Sequence, residues 1–174
     1  PATFTGATNL VEVAITDTLI DTFPAATFSG LNSLEKVTLS GGKITTLPAN
    51  SFTSTALTSV DLSANAITNV ELNALVVQPQ TEINLASNQL TTLPSEVFQP
   101  LVTTLTDGGY IDVNDNPLTC GCDLEWIVNI GPTVALSGLD SACDLHGYST
   151  QEILDFLEYQ CSNPPPPPPE PLKQ

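Results

Sequence analysis

A period of about 23 residues runs through most of the chain and limits its fold more than any other feature. Pairs of apolar residues separated by one position begin at Val13, Val37, Val60 and Ile83, and a fifth pair begins at Ile111 after a longer gap. Such alternation predicts five short strands. One unit of this length cannot bury its apolar face alone, so successive units have to stack and share a core. The sequence therefore predicts an α/β solenoid with a parallel β-sheet on its concave side.

Three further slots in the units are apolar and complete the predicted core. They lie seven, ten and fifteen residues after the first residue of each strand pair. Their members are Ile20, Ile44, Ile67, Leu90 and Leu118; Phe23, Leu47, Val70 and Leu93; and Phe28, Phe52, Leu75 and Phe98. Proline follows the ten-slot at Pro24, Pro48 and Pro94, where it is expected to stop a helix or strand from continuing. We therefore expect an irregular convex side.

The slot five residues after the start of each pair favours asparagine. In chain order it reads Thr18, Gly42, Asn65, Asn88 and Asn116. An asparagine amide both donates and accepts, which suits backbone groups that are buried where the strand turns inward. The stretch 57–67, LTSVDLSANAI, resembles the L-x-x-L-x-L-x-x-N-x-L signature of leucine-rich-repeat proteins. The resemblance implies a curved solenoid of that family.

The four cysteines, Cys120, Cys122, Cys143 and Cys161, all lie in the last third of the chain. Four cysteines allow three disulfide pairings. A zinc site is the alternative, but Cys-x-Cys followed by two distant single cysteines lacks the two short knuckles of a structural zinc site. Disulfides are favoured, and they indicate an oxidising, extracellular compartment. A signal peptide is then expected to have been removed or to lie outside the sequence given.

The stretch 116–126, NPLTCGCDLEW, resembles the cysteine-flanked C-terminal cap of extracellular leucine-rich-repeat proteins. That resemblance, and not the spacing, implies the pairs Cys120–Cys143 and Cys122–Cys161. It also implies that the cap covers the open end of the repeat core.

Two helices are predicted in this cap. A short one from about Asp123 is expected to support three core residues, Leu124, Trp126 and Ile127. A capping box, Ser149-x-x-Glu152, predicts the start of a second helix. Its apolar face is formed by Ile153, Leu154, Phe156 and Leu157.

The chain is thus predicted to have three parts. Residues 1–116 hold the repeats, residues 117–163 form the cap, and residues 164–174 form a proline-rich tail. The motif Phe4-x-Gly6 returns one period later as Phe28-x-Gly30, so the chain begins inside a repeat and more chain is expected upstream. The alternative is that residues 1–9 form a minimal lid. The tail is expected to be an extended polyproline spacer rather than a ligand for a proline-binding module.

Composition excludes several classes of partner. The chain has 19 Asp and Glu but only three Lys and no Arg, which gives a net charge of -16. This negative charge repels phosphates and anionic lipids. No apolar run approaches the roughly 18 residues that span a bilayer. Neither nucleic-acid binding nor membrane insertion is predicted.

Residues that could carry chemistry are few. His146 is the single histidine, and its nearness in sequence to Ser141 or Ser149 is no indication of a nucleophile and base. Asp112 and Asp115 suggest acid–base work or a calcium site, but strand alternation favours exposed, ordinary carboxylates. The sequence therefore predicts a protein that is not an enzyme and has no cofactor or metal.

The outward-facing strand positions are the candidate binding surface, because alternate strand residues point away from the core and stack between units. They are small and polar, with Tyr110 as the one aromatic anchor. The candidate binding residues are Glu12, Thr16, Lys36, Thr38, Asp61, Glu82, Asn84, Tyr110, Asp112 and Asn114. The alternative interpretation is a merely solvated sheet whose residues serve strand propensity.

The sequence predicts a secreted, non-enzymatic binding or scaffold module for a protein or another extracellular macromolecule; its oligomeric state is open. The stretch 111–126 most resembles arthropod secreted leucine-rich-repeat proteins, including the non-catalytic large subunit of the shrimp luciferase complex. That resemblance implies an alternative role as an accessory subunit, with Leu72, Val76 and Val77 as a convex apolar patch for the enzyme. Lamprey-type repeat receptors share the scaffold, so fold does not decide function. A self-assembling matrix component is a third possibility, which the net charge opposes.

Overall fold

The computed structural model describes residues 4, 6–23, 28, 30–131, 135–145 and 147–163. Three features of the sequence analysis, Pro24, His146 and the tail 164–174, lie outside the described residues. Within the described part the chain forms the predicted α/β solenoid, closed at its C-terminal end by helices.

Eight strands and four helices make up this part of the chain. The strands are β1 (Glu12–Ala14), β2 (Lys36–Thr38), β3 (Thr46–Leu47), β4 (Ser59–Asp61), β5 (Asn69–Val70), β6 (Glu82–Asn84), β7 (Tyr110–Asp112) and β8 (Leu136–Ser137). The helices are α1 (Ser95–Thr104), α2 (Glu125–Ile130), α3 (Leu139–Ala142) and α4 (Thr150–Ser162). None of these helices has the length and apolar content that crossing a bilayer requires.

The concave sheet is parallel and has the order β1-β2-β4-β6-β7-β8. Its register aligns the first apolar residue of each predicted pair with the next, from Val13 to Ile111. The prediction of five strands was one short, because β8 of the cap adds a sixth to the sheet. Leu136 pairs with Ile111 at a spacing close to the repeat period, but the segment around it lacks the other repeat residues.

The predicted core slots are buried with two exceptions. Ile15 is half-buried, and Ile20 remains 38 % exposed, so the prediction that Ile20 belongs to the core was wrong. At the fifteen-slot, phenylalanine rings of successive units pack against one another. The ring centroids of Phe28 and Phe52 are 5.1 Å apart, and those of Phe4 and Phe28 are 5.8 Å apart.

Three asparagines join successive units from inside the core. In Asn88, which is 1 % exposed, Oδ1 accepts the backbone N–H of Ile67 at 3.0 Å. Its Nδ2 donates to the carbonyls of Leu62 in the preceding unit and Leu85 in its own unit, both at 3.0 Å. Asn65 and Asn116 repeat these bonds one unit earlier and one unit later. The ladder therefore satisfies buried backbone groups that no strand partner reaches.

The first two units depart from this ladder, and in the second unit the reason is steric. A Cβ atom on Gly42 would lie 2.6 Å from Oδ1 of Asn65, whose position is set by its own hydrogen bonds. In the first unit the hydroxyl of Thr18 accepts the N–H of Ile20 at 3.3 Å. The ladder thus starts at Asn65.

The residue just before the asparagine slot has a left-handed backbone in every unit. These residues are Asp17, Gly41, Ala64, Ser87 and Asp115, with φ values of 52°, 67°, 52°, 55° and 54°. In this conformation the N–H of Ala64 donates to the carbonyl of Ala86 at 3.0 Å. The N–H of Ser87 likewise donates to the carbonyl of Asn114 at 2.8 Å. Only one unit uses glycine, so sequence alone does not reveal the slot.

The convex side, meaning the segments that connect successive strands of the concave sheet, is more regular than predicted. β3 and β5 form a two-stranded parallel sheet, and the last long segment forms α1. Pro94 lies at the N-cap of α1, so the expectation that it stops a helix was wrong there. Proline is tolerated at a helix start because the first N–H groups have no intrahelical partner.

Two disulfides join Cys120 to Cys143 and Cys122 to Cys161. The first cap helix, predicted from about Asp123, is a 3₁₀ turn over Cys122–Leu124 that continues directly into α2 at Glu125. Leu124, Trp126 and Ile127 are buried as predicted, and the Trp126 indole donates to the carbonyl of Leu93 at 3.1 Å.

Helix α4 begins at the predicted capping box, in which the Ser149 hydroxyl accepts from the Glu152 N–H. Ile153 and Leu157 are buried, whereas Leu154 and Phe156 are half-buried. The cap thereby seals the last repeat with both helices.

We expect Asn88→Ala to lower the free energy of unfolding by roughly 2 kcal/mol, because it leaves the Ile67 N–H buried without a partner and removes one of the two amide donors from the carbonyls of Leu62 and Leu85. Gln89→Ala, at the exposed neighbouring position, is the control and should change stability by less than about 0.5 kcal/mol. Urea unfolding followed by circular dichroism measures both. Equal losses for the two variants would contradict the ladder.

The capping box makes the cap sensitive to acid. The N–H and hydroxyl of Ser149 hydrogen-bond the Glu152 carboxylate and hold its pKa below the ordinary value. A lowered folded-state pKa stabilises the fold above the unfolded-state pKa, and this stabilisation is lost as the pH falls through the folded-state pKa, which lies below the ordinary range of a glutamate. The Tm gap between the native chain and Glu152→Gln should therefore shrink on acidification. A gap that stays constant down to about pH 2.5 would contradict this.

Candidate binding surface

The strand register arranges the outward side chains of the concave sheet in rows across the units, about 4.8 Å apart. The first row consists of Glu12, Lys36, Ser59, Glu82 and Tyr110. The second row consists of Ala14, Thr38, Asp61, Asn84, Asp112 and Ser137. Thr16 and Asn114, the remaining candidate residues, follow the ends of β1 and β7.

Three polar residues of the second row, Asp61, Asn84 and Asp112, have a structural role. Oδ1 of Asp61 accepts the N–H of Ser63 at 3.0 Å, and Oδ1 of Asn84 accepts the N–H of Ala86 at 3.0 Å. Oδ1 of Asp112 accepts the N–H of Asn114 at 2.9 Å. Each of these hydrogen bonds closes an Asx turn. The turn connects the strand to the residue that has a left-handed backbone. Binding by these residues remains a prediction, since one oxygen of each is already engaged.

Asn114 is likewise held by its surroundings. Its Nδ2 donates to Asp112, and its Oδ1 accepts the hydroxyl of Ser141 at 2.7 Å. The same Ser141 hydroxyl accepts the N–H of Asp115 at 3.1 Å. These bonds fasten the cap to the end of the concave sheet.

The first row is different, because its large side chains close no turns. Glu12, Lys36, Glu82 and Tyr110 are exposed, and none of these four side chains makes a hydrogen bond to another described residue. The signs of their charges vary along the row, and Tyr110 ends it. This row is the part of the sheet that is available to a partner.

The serines considered for chemistry have structural partners in the described part of the chain. The described residues contain no group of three or more His, Cys, Asp or Glu close enough to hold a metal ion. Ser149 belongs to the capping box, and Ser141 binds Asn114 and Asp115, so both serines have structural partners. A hydrogen bond from the Thr22 hydroxyl lowers the pKa of Asp21, but this residue lies away from the concave rows.

The convex residues Leu72, Val76 and Val77 are placed unequally. Leu72 is 53 % exposed, whereas the two valines are half-buried. Leu72 and Val77 line a groove beside α1, which Val76 does not line.

Residues 1–106 match the family model for the BspA-type leucine-rich-repeat region, in six copies. The chain belongs to the BspA-type leucine-rich-repeat family. Comparison with curated proteins yields no match. The family match covers β1 to β6 and α1 but ends before β7, so it does not extend to the cysteine-rich cap.

Leucine-rich repeats of this kind suggest a scaffold for protein binding and are typically not enzymes. The family therefore supports the coarse functional prediction. The residues that would bind, the partner and the compartment are matters for proposal.

We expect the two rows to differ in their effect on stability. Asp61→Ala removes the acceptor of the Ser63 N–H and should lower the free energy of unfolding by about 1 kcal/mol. Glu82→Ala, in the first row of the neighbouring strand, should change it by less than about 0.5 kcal/mol. Denaturant unfolding of the two variants side by side measures this. If Glu82→Ala were as costly as Asp61→Ala, the first row would have a structural role as well.

Proposed function

We propose that this chain is a secreted, non-enzymatic scaffold that binds a protein or another extracellular macromolecule through the first row of its concave sheet. The observation that carries the proposal is the contrast between the two rows. The second row is engaged in closing turns, while the first row presents Glu12, Lys36, Glu82 and Tyr110 without partners among the described residues.

The chemistry of the first row supports a polar partner. One aromatic side chain, Tyr110, can act as an anchor, and charges of both signs can pair with opposite charges on the partner. Such a surface favours specificity and fast association over very tight apolar binding. The partner should accordingly bind with an affinity that depends on salt.

Secretion and the identity of the cap belong to the same proposal. Two disulfides in the short C-terminal part of the chain support an oxidising compartment, since such bonds rarely persist in the cytosol. We propose that residues 117–163 are a cap of the extracellular leucine-rich-repeat type and that residues 1–116 are the repeat part. The tail 164–174 is proposed to be a spacer.

The test is a quantitative pull-down from the extracellular fluid of the source with the folded chain and two double variants. Glu82→Lys with Tyr110→Ser changes the first row. Glu158→Lys with Tyr159→Ser makes the same chemical changes on the exposed face of α4 and is the matched control. We expect the first-row variant to lose at least about 90 % of a partner that the control retains, as expected for loss of an anchor worth about 2 kcal/mol. Retention of every specific partner by both variants would contradict the proposal.

A second candidate function is an accessory subunit that stabilises a secreted enzyme. The apolar groove beside α1, with Leu72 exposed at its edge, favours it, because a contiguous apolar surface can mark a contact for another chain. Co-purification of the native protein with one enzyme in a fixed stoichiometry, measured by size exclusion with light scattering, would support this role. A native monomer without an enzyme would contradict it.

A further inference from the structure

A groove with an apolar floor lies on the convex side between residues 70–77 and helix α1. Its volume is about 190 Å³. Its apolar lining includes Leu72, Val77, Val97, Pro100 and Leu101. Leu72 is 53 % exposed, and Pro100 is exposed on the opposite side of the groove.

The groove exists because two neighbouring units are built differently. The segment after β5 consists of turns and a bridge, in which Asn73 has φ of 60° and Leu75 pairs with Phe52. The next unit is longer than those before it and uses its extra length for α1. A helix and a turn segment do not stack in register, so the apolar residues between them are left partly uncovered.

Size limits what the groove can hold. Sites for whole small molecules and cofactors usually enclose about 300 to 1,000 Å³. A volume of about 190 Å³ is smaller and suits one large apolar side chain. A single anchor side chain inserted into a pocket is the usual way in which a peptide segment docks.

Charge limits the partner further. Glu71 and Glu96 flank the groove, and among the described residues no Lys, Arg or His lines it. One carboxylate oxygen of Glu71 accepts the N–H of Ala49 at 3.0 Å, which fixes the group in place. Glu96 lies in the first turn of α1, where the helix dipole stabilises a negative charge.

A second copy of the chain is a poor occupant. Each copy carries a net charge of -16 and only three lysines, so two copies repel each other and offer few cations for the two glutamates. The occupant therefore has to come from a different, cationic chain.

We propose that the groove binds a segment of another protein that carries one large apolar side chain between lysine or arginine residues. The apolar side chain lies on Leu72, Val97 and Leu101, and the flanking cations pair with Glu71 and Glu96. The inference rests on the proposed function in that the solenoid is a binding module, but it assigns a surface separate from the concave first row.

The test uses a synthetic peptide with one phenylalanine between two pairs of lysines, titrated into the ¹⁵N-labelled chain and followed by NMR. We expect saturable shifts of the amides of residues 71–77 and 96–104, with a dissociation constant of roughly 1 mM or below. A peptide with serine in place of phenylalanine should bind at least about tenfold more weakly, and one with glutamates in place of lysines should show no saturable shifts. Equal binding of the serine peptide would overturn the proposal, because attraction to the chain's overall negative charge would then explain it.

Matched variants localise the site. Leu72→Ser should weaken peptide binding about tenfold, whereas Leu19→Ser, at an exposed leucine outside the groove, should not. Glu96→Gln should weaken it about threefold at low salt, and Glu158→Gln should not. Unchanged affinity in both Leu72→Ser and Glu96→Gln would overturn the proposal, as would groove shifts that appear on raising protein concentration without peptide.

The first-row double variant Glu82→Lys with Tyr110→Ser separates this inference from the proposed function. It should bind the peptide with unchanged affinity while losing the concave partner. If the concave partner is never found but the peptide results hold, the groove assignment stands and only the concave proposal fails. Loss of peptide binding in this double variant would overturn the groove assignment.

Discussion

The stacking of one unit on the next depends on the buried asparagine amides. Each unit turns sharply at the end of its strand, and this turn leaves backbone N–H and carbonyl groups inside the core, where water cannot reach them. The amides of Asn65, Asn88 and Asn116 each bond to their own unit and to the unit before. A buried polar group without a hydrogen-bond partner destabilises the fold. These bonds therefore stabilise both the turn and the stacking of one unit on the next.

The C-terminal cap repeats the slot pattern of the repeat units with different residues. Leu136 takes the strand position, Ser141 follows five residues later in the slot of the asparagine, and Cys143 forms a bridge with Leu118 at the seven-slot. The Ser141 hydroxyl accepts the Asp115 N–H and donates to Asn114, so a smaller side chain ends the ladder. The cap thus contains a shortened sixth unit, and its two disulfides join Cys143 of that unit and Cys161 of α4 to the segment that follows the last repeat.

The same stacking decides which surfaces are open to partners. Where units match, as along the concave sheet, side chains form rows, and the second row is used to close the turns. Where units differ in length, as between the segment after β5 and α1, the core is imperfectly covered and Leu72 is left exposed. Binding surfaces of a solenoid can therefore form both where successive units match and where they differ in length.

The period and the apolar slots were sufficient to predict the solenoid, the register of five strands and the part of the core that those slots form, because each depends on spacing along the chain. The capping box of α4 could be predicted for the same reason, since Ser149 and Glu152 stand at the fixed spacing of that motif. Resemblance, rather than spacing, had to supply the cysteine pairs. Sequence also marked the ten outward residues as candidates, because strand alternation is a local property.

Only the tertiary structure showed that the Asp and Asn residues of the second row close turns, while the large side chains of the first row are free. That division depends on which side-chain oxygen faces the N–H just before the left-handed residue, and Ala64 and Ser87 give no local sign of that conformation. Likewise β8, the exposure of Ile20 and the groove beside α1 depend on what packs next to each unit. Contacts between units are decided by the shapes of both neighbours, and a repeat pattern describes each unit alone.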